Sequence, residues 1–149
     1  MILFGTGHRP EDIQESEDEV RAKIRIALLE LAPSTVISGM ASGFDLWFGN
    51  EALDLGIETW AAKPWAGHTP RRGDESEYAR IIEDASRVIS VTKIVPYPGP
   101  WVYPVRNHWM VDNGNYGLAY WNGKESGGTY ECLKYAQTKL RQVTNCYER

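Results

Sequence analysis

Cysteine is scarce: the 149-residue chain has two, Cys132 and Cys146, with no C-x-x-C spacing. That excludes a disulfide framework as the source of stability and points to free thiols in a reducing compartment. The chain is expected to be cytoplasmic. The three histidines, His8, His68 and His108, share no ligand spacing with those cysteines, so no metal is expected. No stretch of about 18 apolar residues occurs, which excludes a membrane-spanning helix. The first residues, "MILFGTGHRP", have neither the basic nor the long apolar region of a secretion signal. Positive charge is not in excess either. Lysine and arginine number 16 against 20 aspartates and glutamates, for a formal net charge of −4. No general grip on nucleic acid is expected, since that needs a basic face, although a local basic pocket stays open. The standard nucleotide fingerprints are missing too. "GTGHRP" is not G-x-G-x-x-G, because its last position is Pro10, and no G-x-x-x-x-G-K-[ST] loop exists. A dinucleotide oxidoreductase and a P-loop enzyme are poorly supported, no cofactor is expected, and no Ser-His-Asp constellation follows from spacing.

What the chain does have is alternation. "ILFGTG" is a short apolar run ending in glycine, which predicts a strand and a tight turn. In "ESEDEVRAKIRIALLELA", Val20, Ile24, Ala27, Leu28 and Leu31 recur at helical spacing behind an acidic first turn, and Pro33 ends the helix. "TVISGM" predicts a second strand, "GFDLWFGNEALDLG" a helix closed at Gly56, and "IETWAAKPW" a third strand. Residues 63–76 predict a loop, "EYARIIEDAS" a helix and "RVISVT" a fourth strand. The four prolines of 96–104 predict a stiff extended loop. "VRNHWMVDNG" predicts a short helix, "YGLAYWN" a fifth strand, "GGTYECLKYAQTKLR" the last clear helix and "VTNCYE" a terminal strand. Strand and helix in alternation imply a parallel sheet covered on both faces, a Rossmann-like three-layer α/β sandwich forming one domain over residues 1–149.

Ligands of such sheets bind beyond the carboxyl ends of the strands, where strand order reverses. Three of the strand ends carry small residues: Gly5, Thr6, Gly7, His8 and Arg9; Ser38, Gly39, Met40, Ala41 and Gly43; and, after "YWNG", Gly127, Gly128 and Thr129. A single glycine turn is ordinary steric relief. Three at one edge point to a phosphate- or nucleotide-sized guest held by backbone amides and helix N-termini. Arg9 and Arg106 could neutralise phosphate, and His8 could donate to it or carry a proton. Asp45 suits a helix cap or a ribose hydroxyl. Asn107 shares a short helix with Arg106. With six tryptophans and eight tyrosines, an aromatic such as Trp65, Trp101, Tyr103 or Trp121 could stack on a base. Arg71 and Arg72 would add positive charge if their loop folded over the pocket.

The blocks "GTGHRP", "VISGMASGFDLW", "RNHWMVD" and "AYWNGKESGGTYECLKYA", in this order, resemble YpsA/YspA-type proteins of the SLOG superfamily over nearly the whole chain. Small free-standing members of this sort also occur in phages. The resemblance implies a Rossmann-like fold with a nucleotide-related ligand at the glycine turns, including ADP-ribose-type signals. It also implies kinship with the lysine-decarboxylase-like phosphoribohydrolases, which cleave the N-glycosidic bond of nucleoside monophosphates. Arg106 matches an arginine of that branch by position. The branch's P-G-G-x-G-T-x-x-E loop is altered here to E-S-G-G-T-Y-E-C: Cys132 occupies the acid's position and Glu131 lies one residue early. One helical residue is about 100° of rotation. A general acid must reach within about 3 Å of its target, so hydrolysis by Glu131 and Arg106 is put in question while binding is not.

The expected function is therefore binding of a nucleotide-derived or ADP-ribose-like small molecule, as a sensor or as a sequestering protein that holds an antiphage signal. The alternatives are a nucleotide N-glycosidase or phosphohydrolase, and a protein-interaction module. A homo-oligomer is expected from the aromatics of 96–104.

Overall fold

The computed structural model describes residues 1–148. Six strands form one all-parallel sheet in the order β4-β3-β2-β1-β5-β6. They are β1 (Ile2–Gly7), β2 (Thr35–Ser38), β3 (Glu58–Trp65), β4 (Arg87–Thr92), β5 (Tyr116–Tyr120) and β6 (Gln142–Asn145). The helices between them are α1 (Glu17–Leu31), α2 (Phe44–Asp54), α3 (Glu75–Asp84), α4 (Val102–Asn113) and α5 (Gly128–Thr138). The Rossmann-like three-layer sandwich expected from the alternation is the fold observed.

Both faces of the sheet are buried, so neighbouring strand residues face opposite cores. Leu3 and Val36 point to α1 and α2, and Phe4 and Ile37 point to α4 and α5. A third cluster, with Ala61, Leu46 and Ile81, joins β3 to α2 and α3. From β1 the chain steps outward through β2 and β3 to β4. The α4 crossover then carries it back past β1 to β5, on the other face. Strand order thus reverses between β1 and β5, and a crevice opens at their carboxyl ends.

Two details depart from the sequence expectation. Residues 96–104 are not extended throughout, because α4 already begins at Val102. Pro104 lies in its first turn, where a missing N–H breaks no helical bond. The terminal segment is a strand only to Asn145, and a 3-10 turn, Cys146–Glu148, follows.

Gly5 and Gly7 make room for α2. An ideal Cβ on Gly5 would fall 2.5 Å from the Phe48 ring, and one on Gly7 would fall 2.3 Å from Phe44. Phe44 and Phe48 are fully buried and stacked, with centroids 5.6 Å apart. Gly5→Ala is therefore expected to cost ~1–3 kcal/mol through overpacking, seen as a lower urea midpoint at unchanged m-value.

Candidate functional site

A cleft of about 390 Å³ lies at the carboxyl edge, between the crests that follow β1 and β5. The β1 crest contributes Thr6, Gly7, His8, Arg9 and Asp12. The β5 crest and the start of α5 contribute Asn122, Lys124, Ser126, Gly127, Gly128 and Thr129. Ala41 and Asp45 enter from the β2 side, and Tyr103, Arg106, Asn107 and Met110 from α4.

The amides of α5 are the first chemical feature. Away from the crevice, α1 is closed in the usual way, by Ser16 accepting from the Glu19 amide at 3.2 Å. At the crevice, α5 begins after Gly127 with no side-chain cap, and its first backbone bond runs from Glu131 N–H to Gly127 C=O. The amides of the first turn have no partner within the helix. Gly127 has φ +93°, which explains glycine there. Gly128 does not need glycine for its backbone, and a Cβ on it would meet nothing within 4 Å. The protein's own packing thus leaves both positions open on the cleft side.

The second feature is a buried charge pair of unequal reach. Arg106 and Asp45 are 6% and 5% exposed. Arg106 donates from Nε to Asn107 Oδ1 at 2.9 Å and from Nη1 to the Gly39 carbonyl. Burial pulls its pKa down, against the attraction of Asp45. Burial pushes the Asp45 carboxyl up to about 6, against the pull of Arg106 and of the Ala41 amide, which donates to Asp45 Oδ2 at 3.2 Å. Asp45 therefore holds the 41–45 turn instead of capping α2. The first amide of α2, on Phe44, goes to the His8 carbonyl. With Arg9 and Lys124, three basic side chains line the cleft against two carboxylates, Asp12 and Asp45. Locally the cleft favours an anion despite the acidic chain.

His8 ties the two crests together. The Asn122 amide donates to His8 Nε2 at 3.1 Å, so the neutral ring carries its proton on Nδ1. Burial lowers its pKa, which keeps this acceptor role at neutral pH. A second tie is bidentate: Arg71 donates to Glu11 at 2.9 and 3.1 Å, holding the loop after β3 to the 3-10 turn Pro10–Asp12.

Of the residues singled out from sequence, Thr6, Gly7, His8, Arg9, Ala41, Asp45, Tyr103, Arg106, Asn107, Gly127, Gly128 and Thr129 come together on this cleft. The others do not line it, for identifiable reasons. Gly5 packs under Phe48. Ser38 donates to the Asp45 carbonyl at 2.8 Å and accepts from Met40 N–H, shaping the turn from below. Gly39 leaves the space that Asp45 and Arg106 occupy, since a Cβ there would lie 2.8 Å from Asp45 Oδ2. Gly43 has φ +87° and packs on His8 and Pro10. Met40 lines a neighbouring cavity. Trp121 stacks on Tyr130 and donates from its indole to the Lys124 carbonyl at 2.9 Å, bracing the crest. Glu131 is exposed and off the cleft, whereas Thr129 and Cys132 form the buried side of that helix turn. Burial pushes the Cys132 thiol up to about 11, so it is not a ready nucleophile.

Asp12, Lys124 and Ser126 were not singled out from sequence. Their signal was positional: each follows a glycine turn at the strand edge that reverses. Among the described residues no group of three or more His, Cys, Asp and Glu converges as a metal site, and no helix is long and apolar enough to cross a membrane.

No protein-family model matches the chain, and no curated protein sequence does. Solved structures do. DNA processing protein A from Streptococcus pneumoniae aligns over 95% of this chain and 49% of its own, at TM-score 0.72 and 18% identity. DNA processing protein A from Helicobacter pylori, solved for its single-stranded DNA binding mode, aligns over 95% and 63%, at TM-score 0.69 and 14% identity. The structural-genomics target TM1055 aligns over 95% and 71%, at TM-score 0.60 and 12% identity. This chain thus spans about half to under two thirds of the two DNA processing proteins. The likeness is one of fold, and it supports the Rossmann-like architecture. It also corrects one expectation. The acidic net charge argues against general nucleic-acid binding, yet a neighbour of the same fold binds single-stranded DNA. Whole-chain charge averages over surfaces that never meet the ligand, so it does not exclude that partner.

Proposed function

We propose that the cleft binds a phosphate-bearing, nucleotide-derived molecule of ADP-ribose type and holds it intact, as a sensor or sequestering protein does. The uncapped first turn of α5, left open at Gly127 and Gly128 and opening on the same cleft as buried Arg106, carries this reading. Amides and the helix dipole would face the phosphate, and Arg106 and Arg9 would balance its charge. Asp45 would accept from a ribose hydroxyl. Holding is favoured over cleavage because the carboxylate offered by the sequence for acid catalysis, Glu131, is turned out to solvent.

The test is recovery. The protein is saturated with ADP-ribose or AMP, separated from free ligand, heated and analysed. Intact nucleotide is the expected product, and free base or ribose phosphate would overturn the reading. A second reading, in which the same phosphate grip takes single-stranded DNA, is favoured by the likeness to DNA processing protein A. Competition between AMP and a short oligodeoxynucleotide separates the two: displacement of the oligonucleotide at micromolar AMP supports the small molecule. Tight oligonucleotide binding that AMP does not disturb supports DNA.

A further inference from the structure

The strands of an all-parallel sheet are normally covered on both faces. At the β4 edge of this sheet the cover is incomplete. None of the six residues of β4 is buried, although Val88, Ile89 and Val91 are apolar. The segment that follows continues the exposure: Val88, Ile94, Val95, Tyr97 and Trp101 are between 44% and 69% exposed. A concentration of large apolar side chains in one exposed stretch marks an interface. The stretch is also held in place. The Ala66 amide donates to the Ile94 carbonyl at 3.0 Å, which carries the edge past the end of β4. Trp101 donates from its indole to the Pro98 carbonyl at 3.1 Å, and Tyr97 meets Trp65 edge-on at 5.0 Å between centroids.

β4 is the last strand of the sheet on its side, so the outward amides and carbonyls of its backbone have no neighbouring strand. The opposite edge differs in character. β6 has one apolar residue, Val143, among Gln142, Thr144 and Asn145.

Charge says what fits the β4 edge. Glu83 and Asp84 are exposed in the last turn of α3, just before β4, and Lys93 is exposed just after it. None of the three takes part in an ion pair among the described residues. Arg87, the cation nearest the acidic end, is held over the Trp60 ring at 4.4 Å. Between Lys93 and Arg106 no other charged residue occurs. The edge is thus acidic where it begins and basic where it ends. A copy of the same edge laid antiparallel sets each beginning beside the other's end, which pairs opposite charges at both ends of the joint.

We propose that β4 is a dimer interface, at which two copies of this chain join antiparallel about a two-fold axis and their sheets run on as one. The joint gives both strands a backbone partner and covers Val88 and the stretch from Ile94 to Trp101. It closes on itself, because each copy uses the same edge once. Addition of β4 to the β6 of a next copy would set an apolar edge on a polar one and would not close. The proposal does not depend on what the cleft binds.

The experiment is sedimentation equilibrium of the whole protein from about 1 to about 100 µM. The wild type is expected to be a dimer in the upper part of that range. Lys93→Glu, and separately Glu83→Lys with Asp84→Lys, put like charges across the joint and should each weaken association by about tenfold or more. All three positions are exposed, and lysine in the last turn of a helix suits its dipole, so the variants stay folded. The two lysine substitutions also bring the net charge of −4 towards neutrality, so general repulsion between chains predicts the opposite result. All three substitutions together should restore wild-type association to within about threefold. A monomer throughout the range overturns the proposal. A dimer that the charge variants do not weaken, or that the triple variant does not restore, places the interface elsewhere and overturns it too. Assemblies that keep growing with concentration would show head-to-tail addition in place of the closed pair.

Discussion

Gly128→Asp is expected to abolish nucleotide binding without unfolding the protein. Gly128 opens α5, it is exposed, and a Cβ there meets no atom within 4 Å. A carboxylate in a first helical turn interacts favourably with the helix dipole, typically by ~0.3–1 kcal/mol, so the melting temperature should hold or rise. The same carboxylate would occupy the space in front of the amides that the phosphate needs. Like charges brought together at a binding surface cost several kcal/mol, so affinity for AMP or ADP-ribose should fall by more than about 100-fold. Gly128→Ala, which adds bulk without charge, should lose far less. Calorimetry and a thermal melt on the same samples check both halves. Unchanged affinity in Gly128→Asp would show that no anion approaches α5.

Arg106→Gln should damage both binding and stability, and the two losses should separate with pH. Affinity should drop by about 100-fold or more, because a desolvated cation facing the ligand is lost. Stability should drop because Asp45 would remain buried without its opposite charge, a loss on the order of 3 kcal/mol. The Asp45 carboxyl already lies at about 6 in the fold, above its ordinary value of 3.8, and removal of Arg106 raises it further. A carboxyl whose folded pKa is raised binds its proton more tightly in the folded state. Below about 6 the carboxyl is protonated in the fold with or without Arg106, so the variant's deficit is small there, grows as pH rises from about 6 towards the variant's higher folded pKa, and is large at pH 8. Adding Asp45→Asn should restore much of the stability at pH 8 but not the binding. Urea midpoints at pH 5 and pH 8 for the single and double variants measure this. A pH-independent deficit would show that the two side chains are not coupled.

The fold was legible because each strand and helix carried its own periodicity, and because alternation in a chain of this length leaves few topologies open. The place of the cleft was legible from the glycines after β1 and β5. What each glycine does was not. Gly5 and Gly128 look alike in sequence, yet one yields to a phenylalanine ring and the other to open space. That difference depends on which way α2 leans, a tertiary fact. The approach of the loop after β3 was hidden for a similar reason. Residues 66–74 have no periodicity, and the ion pair between Arg71 and Glu11 holds them beside the crest of β1. The rotation of Glu131 away from the cleft, by contrast, followed from counting residues after Thr129.

The hydrogen bond between the Asn122 amide and His8 joins positions 114 apart in the chain. The walls of the cleft are thus shared between the crests of β1 and β5, and no contiguous fragment owns them. A guest seated there would act as a rivet between the two crests. It would slow global opening of the domain rather than fraying at one end, and resistance to proteolysis would track occupancy along the whole molecule.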